Sequence, residues 1–244
     1  MKTLVFAKRN MKEISRDIIS VIFGVIFPII LLLLLTVIQS NIPGDQGPFV
    51  IEKLAPGIAI FGLSFISLFS GLLISKDRNS SLMMRLISSP MKSSDFILGY
   101  ILPLIPIALL ESTGCFLSAL FLGLKPDISI LYAIITSLPA ALLFIGIGIL
   151  SGSLFNEKQV GGVCGALLTN ISAWLSGIWF DVTLVGGWFE TIANLLPFVH
   201  AVNVSKLIIA HDYAQVLPEL LWVIGYAIVI IIIAIYVFMK KTQK

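Results

Sequence analysis

Glu111 is the first candidate for chemistry in this 244-residue chain, because it lies inside a long apolar stretch. A carboxylate within a lipid bilayer is costly unless it is paired, protonated or hydrated, so such residues are functional candidates by default. We expect Glu111, and Asn170 in another apolar stretch, to face a polar path or a subunit interface. The alternative is a Glu111 that only hydrogen-bonds a neighbouring helix in its neutral form.

Other reactive residue types form no recognisable catalytic or metal-binding pattern. His200 and His211 do not occur in H-E-x-x-H spacing or near a cysteine cluster, so we expect no catalytic residue and no bound metal. Cys115 and Cys164 lie in apolar stretches and are expected to pack as small apolar side chains. The sequence has no G-x-x-x-x-G-K-[ST] phosphate loop. The chain is therefore expected to bind no cofactor itself, and any nucleotide hydrolysis would belong to another polypeptide.

Residues 76–95 combine charged side chains with apolar ones at helical spacing. The apolar side chains of a short helix would share one face at Leu82, Met83, Leu86 and Ile87. The helix would end at Ser88-Ser89-Pro90, because the residue before a proline avoids the helical region. The segment is either an interfacial loop or a docking element for a partner protein. The docking hypothesis rests on Arg78, Leu82, Arg85, Leu86, Ser89 and Pro90.

Residues 181–219 contain two apolar runs that are separated by Pro197. Each run is shorter than the roughly 20 residues that a membrane-spanning helix needs. Irregular backbone at membrane depth is tolerated only where protein or water covers it, so we predict a re-entrant hairpin. Gly186-Gly187 would permit the bend at its start. The candidate residues of this hairpin are Trp188, Glu190, Pro197 and His200.

The elements that would position these residues are six apolar stretches. The chain is 58% hydrophobic and only 12% charged, which is outside the range of soluble globular domains. About 20 residues at about 1.5 Å rise span the hydrocarbon core. We predict one all-α, polytopic membrane domain over residues 1–244. Its six transmembrane helices are expected at 18–38, 54–75, 96–124, 128–155, 160–180 and 220–239.

The distribution of basic residues predicts the orientation. Of the 16 Lys and Arg residues, all except Lys53, Lys125 and Lys206 lie on one side of the predicted spans. The positive-inside rule then places both termini and the 76–95 loop in the cytoplasm and the 181–219 segment outside. The net charge of +3 is thus sorted across a bilayer. We expect membrane lipids as partners, no nucleic acid, and a multi-pass protein of the cell (plasma) membrane.

Residues 1–17 are expected to form an amphipathic helix at the cytoplasmic interface. Apolar residues recur at steps of three and four, at Leu4, Ala7, Met11, Ile14 and Ile18, and basic residues fill the opposite side. The alternative is a basic juxtamembrane segment without a defined face.

Two G-x-x-x-G patterns, Gly148 to Gly152 and Gly161 to Gly165, allow helix backbones to approach closely. They would serve packing within one subunit or a seam between two subunits.

These features together resemble the membrane subunit of a bacterial or archaeal ABC exporter of the second type. The resemblance covers the whole chain, in order, at Arg9-Asn10-Met11-Lys12-Glu13 with Arg16-Asp17, Phe27-Pro28, Arg85-Leu86-Ile87-Ser88-Ser89-Pro90 and Leu196-Pro197-Phe198-Val199-His200-Ala201. It implies an elbow helix at the N-terminal arm, a coupling helix at Arg85 to Pro90, and external re-entrant helices around Pro197. The chain departs from the pattern at Gly186-Gly187, where many relatives place a proline before the tryptophan.

The resemblance implies a permease subunit without catalytic activity. It would pair with a second permease subunit, as a homodimer or related heterodimer, and with a cytoplasmic ABC ATPase dimer that uses ATP and Mg²⁺. Family members export drugs, glycans, lipids or peptides, and the sequence does not select among them. One alternative is an ion-coupled secondary transporter or channel that uses Glu111. Another is a structural membrane scaffold without transport.

Overall fold

The computed structural model describes residues 2–18, 22–42, 49–78, 80 and 93–242. Every regular element in these ranges is helical, so the all-α prediction is confirmed for the part of the chain described. Helix α1 (Lys2–Arg16) precedes four long apolar helices. These are α2 (Ile22–Ser40), α3 (Ile51–Arg78), α4 (Asp95–Phe121) and α5 (Ser129–Leu154).

The second half of the chain is less regular. Helix α6 covers residues 157–174, and α7 (Gly187–Leu195) and α8 (Pro197–Ile209) form a bent pair. The last helix, α9, is Val216–Thr242. Within the described ranges five helices, α2 to α5 and α9, are long and apolar enough to cross a membrane, and the α7–α8 pair, bent by 77°, would be a sixth if it is one span. The prediction of several membrane-spanning helices is therefore confirmed.

Helix α3 is the centre of the bundle and contacts α2, α4, α5, α6 and α8. Small residues let α5 approach its backbone closely. A Cβ atom added to Gly148 would lie 2.3 Å from the Ser67 carbonyl oxygen, and one added to Gly152 would lie 2.5 Å from that of Gly71. The first G-x-x-x-G pattern therefore serves packing within this chain.

Prolines account for the irregular points of the long helices, because a proline ring removes one backbone hydrogen-bond donor. Helix α2 begins with a π-helical turn, Ile22–Ile26, immediately before Phe27 and Pro28. In α4 a turn at Leu102 and Pro103 separates Ser93–Ile101 from Leu104–Phe121.

Helix α6 occupies the place of the span expected at 160–180, and it is shorter. Its first turn has a reciprocal cap in which the Asn156 and Gln159 side chains each accept from the other's backbone N–H, at 2.9 and 3.1 Å. The middle, Gly161–Leu168, is π-helical, and the helix ends at Trp174. Gly177, with φ of 70°, lies in the turns that follow. Helix α6 is therefore not among the five described helices that are long and apolar enough to cross a membrane.

The bend between α7 and α8 follows from local sequence. Leu196 has extended backbone, φ −90° and ψ 153°, because it precedes Pro197, which opens α8. Gly186 and Gly187, at the start of α7, have φ of 65° and 58°, in the region that glycine enters without strain.

Candidate functional site

The predicted docking loop lies between the end of α3 and the start of α4, and only its root is described. Leu82, Arg85, Leu86, Ser89 and Pro90 fall outside the described residues. The root consists of Lys76, Asp77 and Arg78 on α3 and the first turns of α4. Movement of the loop would reach the spans through these residues.

Arg78 binds the end of α5. Its guanidinium donates to the Ser153 carbonyl oxygen and, at 3.1 Å, to that of Phe155. These groups belong to the last turn of α5, whose final carbonyls have no partner within the helix. A cation there also compensates the helix dipole. Arg78 thus points into this chain, and its predicted role in docking a partner stays a prediction.

Asp77 joins three helices and was not singled out from the sequence. Its side chain is 2% exposed, and one carboxylate oxygen accepts from Arg9 Nη1 at 2.6 Å and from the Tyr100 hydroxyl at 3.1 Å. Arg9 belongs to α1 and Tyr100 to α4. A charge between Lys76 and Arg78 looks in the sequence like part of a solvated loop, so no local signal distinguishes it.

Helix α1 packs across the first turns of α4. The Asn10 amide donates to the Gly99 carbonyl oxygen at 2.9 Å, and the Thr3 hydroxyl donates to Asp95 at 2.5 Å. The Phe6 ring lies over Gly99, where a Cβ atom would be 2.3 Å from it. The glycine therefore makes room for the ring.

Only part of the apolar stripe of α1 is buried against the bundle. Ala7 and Ile14 are buried, together with Phe6 and Asn10. Leu4 and Ile18 are 67% and 71% exposed. An apolar stripe on an interfacial helix can face lipid as well as protein, so periodicity alone does not select the packed side.

Glu13 extends the α1–α3 contact at the surface. Its carboxylate accepts from Lys76 Nζ at 2.8 Å and lies 3.5 Å from the Arg9 guanidinium. The hydrogen bond from Lys76 is the largest cause that lowers the pKa of Glu13 from its usual value. Both side chains are more than a third exposed, so this pair contributes little to stability.

Glu111 lies inside the chain, where α2, α3 and α4 meet. It is 1% exposed, and within the described ranges neither carboxyl oxygen has a hydrogen-bond partner. The carboxyl group is in close contact with Gly62, where an added Cβ atom would be 2.0 Å from Oε1 and 3.1 Å from a Pro28 ring carbon.

Asn170, grouped with Glu111 from the sequence, is exposed on α6, and its amide donates to the Ala166 carbonyl oxygen at 2.8 Å. The structure therefore places the two residues in different environments, one inside the bundle and one on its surface.

The α7–α8 hairpin, residues 186–209, is attached to α9 through His200. One ring nitrogen, Nδ1, contacts the Glu219 carboxylate, and Nε2 lies 2.8 Å from the Asn194 carbonyl oxygen at the end of α7. The Tyr226 hydroxyl donates to the Leu195 carbonyl oxygen at 2.7 Å. His200 was one of the candidate residues of the predicted hairpin, whereas its partner Glu219, the last residue of the 181–219 segment, was not singled out from the sequence.

The remaining hairpin candidates lie apart from this contact. Trp188 is 75% exposed at the start of α7, Glu190 is half-buried in the first turn, and Pro197 is the first residue of α8. No group of three or more His, Cys, Asp or Glu side chains that could hold a metal ion occurs in the part of the chain that the structure describes.

One face of α6 is exposed and carries small residues. Gly162, Ala166, Asn170 and Trp174 follow one another at steps of four and are all exposed. A Cβ atom added to Gly161 or Gly162 would meet no atom within 4 Å, whereas one added to Gly165 would lie 3.2 Å from Leu68 of α3. The second G-x-x-x-G pattern thus has one glycine in the bundle and one on the open side.

Comparison of the sequence with known proteins places this chain in a family. Residues 1–209 match the model of the family described as ABC-2 type transporter. The chain is also similar to ABC transporter G family member 20 of Dictyostelium discoideum, with 22% identity over 216 residues. That match covers 85% of this chain but only 29% of the relative, so the chain spans less than a third of the relative's length. With a family match over most of its length and several apolar helices, the chain is a transmembrane permease domain that belongs to the ABC-2 type transporter family.

Proposed function

We propose that the chain is the permease subunit of an ATP-driven exporter. It forms the translocation path with a second permease subunit, and a separate cytoplasmic ATPase dimer, which uses ATP and Mg²⁺, drives the cycle. Both termini are cytoplasmic and the membrane is the plasma membrane. The family match supports the transport role, and the charge distribution supports the orientation.

The observation that carries the proposal is the polar anchoring of the loop root. Asp77 holds α1 and α4 through Arg9 and Tyr100, and the adjacent Arg78 holds the end of α5. Two consecutive residues of α3 therefore connect the loop to three further helices. A force on the loop would move these helix ends together, which is what a device that couples ATP binding to the spans requires.

The exposed face of α6 is the proposed contact with the second permease subunit. An amide such as Asn170 is costly against lipid, and hydrogen bonds between helices satisfy such groups. Small residues on the same face, Gly162 and Ala166, allow two helices to approach closely.

The test is co-purification with the ATPase and substrate-stimulated ATP hydrolysis. Arg85→Glu combined with Leu86→Asp should abolish ATPase binding, or leave it bound and uncoupled from export, while the permease still inserts normally. Interface energy concentrates in a few anchors, so each change should cost about 1 to 3 kcal/mol of association. Lys241→Ala, at the other end of the chain, is the control. Wild-type co-purification and hydrolysis in the double variant would contradict the docking proposal.

Glu111 favours a second candidate, an ion-coupled carrier or channel. A buried carboxyl without a protein partner in the described residues is the arrangement that an ion or proton would occupy. Flux that depends on a proton or sodium gradient, proceeds without ATP and is lost in Glu111→Gln would support this candidate against the first.

A further inference from the structure

A cavity of about 500 Å³ lies between α1, the end of α3 and the start of α6. Its wall is apolar and is formed by Ile14, Phe69, Leu72 and Leu73. Its rim is charged and is formed by Glu13, Arg16, Asp17, Lys76 and Glu157. An apolar wall below a charged rim suits an amphiphilic molecule.

The depth of the cavity agrees with an amphiphile. Helix α1 exposes Leu4 and Val5 beside charged residues, as helices at the level of the lipid headgroups do. Phe69 and Leu72 lie about two turns before the end of α3, on the side of its apolar stretch. In the proposed orientation the cavity would lie at the boundary between headgroups and acyl chains, and its volume is within the roughly 300 to 1,000 Å³ of small-molecule sites.

The rim offers both signs of charge. Lys76 donates one hydrogen bond to Glu13, and its side chain is 61% exposed. Its ammonium group therefore has further N–H donors for a ligand. Arg16 is exposed and carries a guanidinium, which matches the geometry of a phosphate. The carboxylates of Asp17 and Glu157 supply acceptors. A ligand that carries one phosphate and one hydrogen-bonding ammonium would match all of these groups.

We propose that this cavity binds one inner-leaflet phospholipid with a zwitterionic, primary-ammonium headgroup, a phosphatidylethanolamine. Arg16 and Lys76 bind the phosphate, Glu157 and Asp17 accept from the ammonium, and the acyl chains leave along Phe69 and Leu72. A choline headgroup has no N–H donor for the carboxylates, and a glycerol headgroup has no cation for them. The assignment to the inner leaflet rests on the proposed orientation, whereas the binding itself needs no ATPase.

Native mass spectrometry of the purified full chain tests the proposal. The chain is released from nanodiscs of phosphatidylcholine that contain equal, small amounts of phosphatidylethanolamine and phosphatidylglycerol. One phosphatidylethanolamine should remain bound, with at least tenfold preference over either other lipid. Arg16→Gln should weaken retention about tenfold, and Leu72→Trp, which fills the cavity, should abolish it. Lys8→Gln, exposed on the same helix but not lining the cavity, should bind as the wild type does.

Several outcomes would overturn the proposal. These are equal retention of phosphatidylglycerol, no retained lipid in the wild type, or unchanged retention in both cavity variants. A cross-link from Leu72→Cys to a second copy of the chain would assign the cavity to a protein contact instead. The thermal midpoint of Arg16→Gln, an exposed position, shows whether a loss of lipid comes from misfolding. Lipid retention by a wild-type chain with which no ATPase co-purifies would contradict the exporter proposal alone.

Discussion

Two buried acidic side chains deal differently with the cost of removing a carboxylate from water. Asp77, 2% exposed, accepts hydrogen bonds from a guanidinium and a hydroxyl. Glu111, 1% exposed, has no such partner in the described residues and lies against Gly62. Replacement of Asp77 is therefore expected to act by removing the hydrogen-bond partner of Arg9 and Tyr100. Replacement of Glu111 is expected to change what its carboxyl group excludes or binds.

Replacing Asp77 by alanine should destabilise the chain and loosen α1. The change leaves Arg9 without its buried partner and the Tyr100 hydroxyl without an acceptor. Loss of one member of a buried pair costs about 3 to 5 kcal/mol, and we expect about 2 kcal/mol because the Arg9 side chain is 36% exposed. Thermal unfolding of the purified chain measures it. Glu13→Gln, in an exposed pair, should change the midpoint little, and equal effects of the two changes would contradict the role given to Asp77.

Gly62→Ala should destabilise the site around Glu111. The new methyl group would lie 2.0 Å from the Glu111 carboxyl, and overpacking of this kind costs about 1 to 3 kcal/mol. Adding Glu111→Ala to Gly62→Ala should recover part of that loss, so the two changes should be non-additive in a double-mutant cycle of unfolding. Gly161→Ala, into open space, is the control. Strict additivity would place the carboxyl elsewhere.

Glu111→Gln is expected to alter transport more than abundance. Unchanged transport at normal expression would remove Glu111 from the functional site.

At the scale of elements, the α7–α8 hairpin depends on a few polar contacts with α9. Extended Leu196 breaks the helix before Pro197, so the last carbonyl groups of α7 need hydrogen-bond donors from outside the helix. His200 and Tyr226 contact two of them. The hairpin angle therefore depends on side chains of α8 and α9 as well as on the proline.

His200→Ala should release the end of α7 without disturbing the bundle. The change removes the contact with Glu219 and leaves the Asn194 carbonyl without that partner, a loss of about 1 to 3 kcal/mol. Hydrogen exchange should become faster in α7 and the first turn of α8 and stay unchanged in α3 and α5. His211→Ala, at a histidine side chain that is 56% exposed, is the matched control. Faster exchange throughout the chain would indicate a general packing role instead.

At the scale of the whole molecule, the orientation is open to a direct measurement. Lys158→Cys and Asp212→Cys, each in a chain that lacks Cys115 and Cys164, place one exposed thiol on each predicted side. An impermeant thiol reagent should label only the cysteine at 212 in intact cells and both after permeabilisation. Labelling at 158 alone in intact cells would reverse the orientation.

The pairing of two permease subunits predicts a cross-link along α6. Ala166→Cys, in the chain without native cysteines, should form a disulfide between two copies in the membrane under mild oxidation. Leu110→Cys, 67% exposed on α4, should not. Cross-linking at 110 and not at 166 would move the interface to another face.

Much of the architecture could be predicted from the sequence because it depends on local properties. The length of an apolar run decides whether a helix can cross a bilayer, so α2 to α5 and α9 match five of the expected spans. Proline and glycine act on their own neighbours, which explains the bend at Pro197 and the start of α7 at Gly186 and Gly187. The sixth expected span, 160–180, depended least on local properties. Its apolar run continues past Trp174, where α6 ends.

Only the tertiary structure decided how the polar residues are used, because their partners are distant in the sequence. Asp77 is hydrogen-bonded to Arg9, which is 68 positions away, and Arg78 is hydrogen-bonded to Ser153, which is 75 positions away. Neither pair follows a helical or strand period, so the sequence does not reveal it. The burial of Glu111 likewise depends on Gly62 and Pro28 of two other helices meeting at its carboxyl. Hydrophobicity places a helix in the membrane, but it does not select the neighbouring helices, and these determine which side chains are paired.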